Sequence, residues 1–305
     1  MTDLPTPLEH APAGLAPPRI DLRLKREDMH ELGAFKWRGA LPTLERFKAE
    51  GASGVVTAST GNHGAATAWA AERLGMQAIV YAPEGGTRAK LDRIEALGAE
   101  LRQVGSDLDA AKEEGQRVAA EAGLPFFEDG AEREQYEGYR AIGREMVDQL
   151  GGDPGVVVVP VGNGALIGGI GLELCGPCPD LSLVGVAAAE APVMAESWEA
   201  GYVVESERSS TFADGLAVRV AIPVAVRVLG EVVTRFVTVS ERAIAEAVGA
   251  FDRVGIRVEG AAAAGLAGLR ELEPVDGPVV VIVTGRNIDD ELHSRAVERP
   301  ESFPG

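Results

Sequence analysis

The chain is short of cysteine, of aromatic residues, of positive charge and of long hydrophobic runs, and each shortage narrows what it can be. Its two cysteines, among 305 residues, form Cys175-Gly-Pro-Cys178, a spacing shared with thioredoxin-type redox sites. Such a site needs a helix starting on the first cysteine, which lowers the thiol pKa. Here the pair follows a helical-looking segment and precedes the turn Pro179-Asp180, which predicts two reduced turn cysteines. The histidines, His10, His30, His63 and His293, show no pairing that would complete a zinc site. Apolar runs such as Val156–Val161 are too short and too soon broken by glycine to span a membrane. Lysine and arginine together number 29 against 47 aspartates and glutamates, a net charge of -18. That balance excludes nucleic acid and anionic membrane surfaces as partners, but not a small anion held by backbone N–H groups. The start, Met1–Pro18, has neither the charged head nor the apolar stretch of a signal peptide, so a cytoplasmic protein is expected.

What is present is core-forming material. Hydrophobic residues make up 46% and mean hydropathy is +0.03, enough for one large or two modest domains. From Gly51 onward short β-rich runs alternate with helical stretches. Val55–Ala58 leads to a helix over Ala65–Leu74, Ala78–Tyr81 to one over Arg88–Leu97, and Glu100–Val104 to one over Leu108–Ala122. The helices stop at Gly75, Gly98 and Gly123, the expected end signal. Leu124–Phe127, a helix over Glu134–Leu150, and Val156–Val161 continue the series. Further strands are predicted at Leu183–Ala187, Arg235–Val239 and Val279–Val283, with helices at Glu241–Val254 and Ala261–Leu272. This alternation implies an α/β fold with largely parallel sheets flanked by helices.

Ligands in such folds bind where strands end and helices begin. Three polar or glycine-rich turns stand there: Ser59-Thr60-Gly61-Asn62-His63-Gly64, Gly162-Asn163-Gly164-Ala165-Leu166, and Thr284-Gly285-Arg286-Asn287. The glycine-rich turns match neither the dinucleotide fingerprint nor the P-loop, which sets aside a Rossmann-type dehydrogenase. Ahead of them lies Gly33-Ala34-Phe35-Lys36-Trp37-Arg38-Gly39-Ala40. A lysine between two aromatics is ordinarily a packed stem with an exposed head, yet a partly apolar setting also suits a Schiff-base lysine.

At this point the sequence resembles a known family. The segment around Lys36 is similar to the "GSFKxRGA" stretch of fold-type II pyridoxal-phosphate (PLP) enzymes, the tryptophan-synthase-β group, and most of all to serine/threonine dehydratases. The likeness runs in order through Thr6-Pro7-Leu8, the lysine segment, Ser59–His63, Ala82-Pro83, Lys90 to Gly98-Ala99, Gly162–Leu166, Ala213-Asp214-Gly215, Glu259–Ala262 and Thr284–Asn287. The resemblance implies a two-domain fold with an active site in the interdomain cleft: a large domain of residues 1–51 and 131–305, and a small one of 52–130 inserted in it. It implies PLP as cofactor, held by Lys36 as a Schiff base, with Lys36 later acting as the base at Cα. Phe35 would pack beside the ring and Asn62 would meet the ring 3′-oxygen. Gly162, Asn163, Gly164, Ala165 and Leu166 would cradle the phosphate, and Thr284 would meet the pyridine nitrogen. Ser59, Thr60, Gly61, Asn62 and His63 would receive the substrate carboxylate.

The expected reaction is β-elimination from a β-hydroxy or β-substituted α-amino acid, giving a 2-oxo acid and ammonia. The alternatives are a β- or γ-replacement enzyme like threonine synthase or cysteine synthase, or a PLP-binding protein without turnover. A homodimer is expected from the resemblance. Several residues depart from the family pattern. Ala34 replaces the usual serine before Phe-Lys, and Asn163 and Ala165 interrupt the usual glycine loop. Thr60 stands where racemases place a second acid/base serine, which predicts no racemisation. Ala187, with Ala191 and Val193 downstream, replaces the carboxylate of metal-dependent relatives, so no metal is expected. Arg286 points either at the cofactor or at solvent. The chain stops soon after the last motif, so no regulatory domain, and no feedback by amino acids, is expected.

Overall fold

Apolar β-branched runs bounded by glycine become the strands. In the computed structural model, which describes residues 5–16, 20–207, 209–273 and 277–305, they are β1 (Leu8–His10), β2 (Asp21–Arg26), β3 (Gly54–Ala58), β4 (Gln77–Ala82), β5 (Glu100–Gln103), β6 (Val156–Pro160), β7 (Ser182–Ala188), β8 (Arg235–Val239) and β9 (Pro278–Val283). Met1–Leu4 and Pro17-Pro18 of the proline-rich start lie outside the described residues. The chain divides into two compact units, one of Met1–Phe35 with Tyr139–Gly305, the other of Lys36–Gly138. The smaller unit thus takes in the helix Trp37–Ala49 beside the stretch 52–130.

The larger unit is built on a six-stranded sheet of order β1-β2-β9-β6-β7-β8. All its pairs are parallel except the edge pair β1 with β2. β6 is buried at every position and β9 nearly so, as central parallel strands covered on both faces must be. The helix Gly260–Leu269 is buried along its whole length. It can approach the sheet because Gly268 lacks a side chain: a Cβ there would lie 2.4 Å from Val186 Cγ2.

The smaller unit carries the parallel sheet β3-β4-β5. The helix Asn62–Leu74 ends on Gly75 in the left-handed conformation, and Leu108–Ala122 likewise on Gly123. The run Leu124–Phe127, predicted as a strand, is only a single bridge from Phe126 to Val56. Val56 N donates to Pro125 O and Phe127 N to Val56 O, but Pro125 has no N–H with which to extend the ladder backwards.

β2 carries a feature that its charged sequence does not announce. Lys25 is fully buried, and its Nζ donates to Thr6 O at 2.7 Å, Glu145 Oε2 at 2.6 Å and Gln149 Oε1 at 3.0 Å. Thr6 Oγ1 in turn donates to Glu27 Oε1 at 2.5 Å. This cluster ties the start of the chain and the helix Arg133–Leu150 to the sheet. Removing one partner of a buried pair strands the other. Lys25→Met is therefore expected to lower the unfolding free energy by about 3 kcal/mol, near the low end for buried pairs because Glu145 keeps some contact with water. Urea denaturation measures it, and a loss below about 1 kcal/mol, the level of an exposed pair, would contradict this reading.

Candidate active site

In the smaller unit Lys36 opens the helix Trp37–Ala49, its carbonyl accepting from Gly39 N and Ala40 N. Its Nζ lies 2.5 Å from Asp129 Oδ2. The preceding residues belong to the other unit and are laced to the end of β9: Phe35 N donates to Thr284 O at 3.1 Å, Ala34 bridges Gly285, and Arg286 N donates to Gly33 O at 2.9 Å. Phe35 packs at 5.2 Å from the Tyr139 ring. Phe35, the residue before Lys36, is thus pinned by backbone pairing.

The Ser59–His63 turn follows β3. Ser59 N pairs with Tyr81 O, and Ser59 Oγ accepts from Gly61 N at 3.1 Å. A Cβ on Gly61 would meet nothing within 4 Å, so the turn faces open space at the start of the helix Asn62–Leu74. The first N–H groups of that helix and its dipole suit an anionic oxygen there. His63 goes the other way. It is buried, its ring stacks edge-on to Phe127 at 4.5 Å, and its Nε2 lies 3.0 Å from Thr57 Oγ1. Its Nδ1 is 3.5 Å from Asp129 Oδ1. Burial first, and the Lys36 charge after it, push the His63 pKa down against the pull of Asp129. His63 therefore stands behind the turn rather than on its open side.

Asp129 and Gln135 are the residues that sequence reasoning missed here. Gln135 Nε2 donates to Asp129 Oδ1 at 3.0 Å, while its Oε1 accepts from Gly130 N at 2.8 Å. Burial raises the Asp129 carboxyl, but Lys36 and His63 outweigh it and hold the carboxyl well below the usual range. The signal available was the acidic pair Glu128-Asp129 following the β-rich run Leu124–Phe127, where such folds place functional groups.

In the larger unit the Gly162–Leu166 loop joins β6 to the helix Ala165–Leu174. It cannot carry larger residues: a Cβ on Gly162 would lie 2.2 Å from Gly215 O, and Gly164, at φ +88°, faces Leu229 at 2.6 Å. Asn163 Oδ1 accepts from Ala165 N at 3.1 Å. One N–H expected to serve a phosphate is thus satisfied within the chain, leaving the following first-turn N–H groups for an anion. Thr284 follows β9, and its Oγ1 is buried with no hydrogen-bond partner among the described residues. A buried hydroxyl left unpaired costs roughly 1–3 kcal/mol, so an outside acceptor is called for. Arg286 is exposed, which favours its reading as a solvent-facing charge.

These features fit pyridoxal phosphate. In the larger unit a buried hydroxyl and a glycine turn at a helix start are groups that a ring nitrogen and a phosphate can use, and in the smaller unit Lys36 offers an amine that an aldehyde can use. The other sequence candidates take no such part. Cys175 caps the C-terminal end of the helix Ala165–Leu174, not the N-terminal end of a helix. Burial pushes both the Cys175 and Cys178 thiols up, the opposite of an activated pair. Among the described residues no three His, Cys, Asp or Glu side chains gather as metal ligands.

Comparison with known proteins gives the same cofactor. The chain is 31% identical over 282 residues to an L-threonine ammonia-lyase of Thermotoga maritima, covering 92% of this chain and 70% of that protein. It is 34% identical over 284 residues to an L-threonine ammonia-lyase of Geobacter sulfurreducens, with the same coverage of 92% and 70%. The structure of the processed form of threonine deaminase isoform 2 from Solanum lycopersicum superposes with a TM-score of 0.90 at 27% identity, covering 98% of this chain and 89% of that one. A model of the family described as "Pyridoxal-phosphate dependent enzyme" matches residues 1–285, and the chain belongs to that family.

Proposed function

We propose that the chain is a PLP-dependent ammonia-lyase that takes a β-hydroxy or β-substituted α-amino acid to a 2-oxo acid and ammonia. The observation that carries this reading is the buried, unpartnered hydroxyl of Thr284. A neutral hydroxyl donates a hydrogen bond to a pyridine nitrogen but cannot hold that nitrogen protonated, as a carboxylate would. Charge at Cα is then less stabilised, and prompt departure of a β-substituent is favoured over a long-lived carbanion. The relatives named above as threonine ammonia-lyases support the same reaction class.

Pyridoxal phosphate, when bound, supplies the sink for the electron pair left at Cα. Lys36 holds the cofactor and, once freed by the incoming amino group, takes the Cα proton on Nζ. The N–H groups at the start of the helix Asn62–Leu74, with Ser59 and Thr60, receive the substrate carboxylate. Asn62 would bond the ring 3′-oxygen, Phe35 would pack beside the ring, and the N–H groups following Asn163 would hold the phosphate.

The chain is assigned to the cytoplasm as a homodimer acting on a small amino acid. No helix among the described residues is long and apolar enough to cross a membrane. Analytical ultracentrifugation would weigh the dimer.

The decisive experiment is a panel of L-amino acids with the cofactor-loaded protein, following 2-oxo acid and ammonia. One equivalent of each per turnover from serine, threonine or a β-substituted analogue, without added nucleophile, is the expected result. Turnover only when a thiol or other nucleophile is supplied would turn the assignment to replacement. No turnover of any amino acid would leave a cofactor-binding protein.

A further inference from the structure

Asp129 stands apart from the roles assigned so far. Its Oδ2 lies 2.5 Å from Lys36 Nζ, and its other oxygen is held by Gln135 Nε2 at 3.0 Å with His63 Nδ1 at 3.5 Å. Gln135, which donates to the carboxylate, is itself fixed, and His63 is held in place beside it. Gln135 Oε1 accepts from Gly130 N at 2.8 Å and Glu132 N at 3.3 Å, which orients its amide as a donor towards Asp129. His63 Nε2 meets Thr57 Oγ1 at 3.0 Å and Phe127 O at 3.4 Å, and Thr57 Oγ1 also donates to Phe127 O at 2.7 Å. The carboxylate therefore keeps its place whether or not Lys36 is beside it. A carboxylate positioned this firmly, one hydrogen bond from the lysine, is more than a chance surface ion pair, which would be two mobile side chains meeting in water.

We propose that Asp129 is a positioning residue for Lys36: it parks the free lysine as an ammonium in the cofactor-free chain, and receives it again each time Lys36 leaves the cofactor carrying a proton. The proposal rests on the reading of Lys36 as the cofactor lysine. Its chemistry is simple to balance. To bond the cofactor aldehyde, Lys36 Nζ must give up a proton so that its lone pair forms the C–N bond. The carbonyl oxygen takes up protons and departs as water, and nothing is oxidised or reduced. An ammonium bonded to a fixed carboxylate has no lone pair to offer, so Asp129 slows capture. In turnover the same contact helps, because Lys36 becomes positively charged when it takes the Cα proton, and Asp129 lies where that charge is met.

The test uses cofactor-free full-length protein mixed with pyridoxal phosphate, with capture followed by visible absorbance and by borohydride fixation to Lys36. Asp129→Asn keeps shape and removes charge. It is expected to capture cofactor several-fold faster than the wild type while its kcat falls several-fold with KM little changed. Asp129→Glu, which restores the charge, is expected to return capture towards the slow wild-type rate. Asp129→Ser also removes the charge and serves if the Asn variant does not fold. Capture in the charge-free variants at or below the wild-type rate overturns the proposal and leaves Asp129 a structural residue. A wild type that captures no cofactor on Lys36 overturns the reading of that lysine, and this proposal with it.

Discussion

Lys36→Ala is expected to abolish covalent retention of pyridoxal phosphate and to lower 2-oxo acid formation by roughly 10²-fold to 10⁴-fold, the usual worth of a positioned acid or base. Mass spectrometry after borohydride reduction reads the first effect and steady-state assay the second. Three of the other lysines are engaged elsewhere. Lys25 spends its donors on Thr6, Glu145 and Gln149 inside the larger unit. Lys48 reaches only the carbonyl of Leu74, and Lys112 is paired with Glu128. The variant should still fold, because Lys36 lies at the end of its helix and the backbone bonds from its carbonyl survive the change. A reduced adduct on a different lysine, with activity kept, would sink the assignment of Lys36.

Gly138→Ala is expected to be the most disruptive single methyl in the smaller unit. A Cβ at 138 would lie 1.9 Å from Arg38 O, 2.7 Å from Arg38 C and 3.2 Å from Gly39 N. All three are backbone atoms of the first turn after Lys36, so no flexible side-chain end can yield. Alanine is intrinsically better in a helix than glycine by about 1 kcal/mol. Overpacking typically costs about 1–3 kcal/mol, and a backbone clash this close belongs at the top of that range, so the clash wins. The variant should melt roughly 4–8 °C lower, for a net loss of about 2 kcal/mol at 2–4 °C per kcal/mol, and should hold cofactor less firmly because the turn bearing Lys36 is pushed aside. Unchanged melting and unchanged cofactor retention would show that the two helices separate freely.

These two sites also show how far the sequence could be read. The lysine segment, the Ser59–His63 turn, the Gly162–Leu166 loop and Thr284 could be singled out as candidates because each stands at a strand end or helix start, where local pattern and chemistry coincide. The helix Leu108–Ala122 and the strand Arg235–Val239 were found to the residue, since Gly123 stops the first and β-branched and aromatic alternation marks the second. Residues whose meaning comes from distant partners were not legible. Asp129 reaches Lys36 across ninety-three positions of chain, and no local pattern carries that information. Lys25 sits in a charged run yet is fully buried, because two distant segments, the start of the chain and the helix Arg133–Leu150, bring it acceptors. His63 was placed by its turn, but it is Phe127 and Thr57 that decide which way its ring faces. Leu124–Phe127 has a strand's composition, and one proline cut its pairing short.

The helix Gly260–Leu269 has a consequence for how the larger unit comes together. Gly260, Gly265 and Gly268 each cost about 1 kcal/mol relative to alanine in helical stability, and a helix of ten residues does not persist alone in water. The segment therefore holds its helical shape by packing on the face of the sheet around Val186 and Val281, where a Cβ on Gly265 or Gly268 would come to 3.0 Å or less from a valine methyl. The helix thus owes its form to the strands beneath it, as a casting does to its mould.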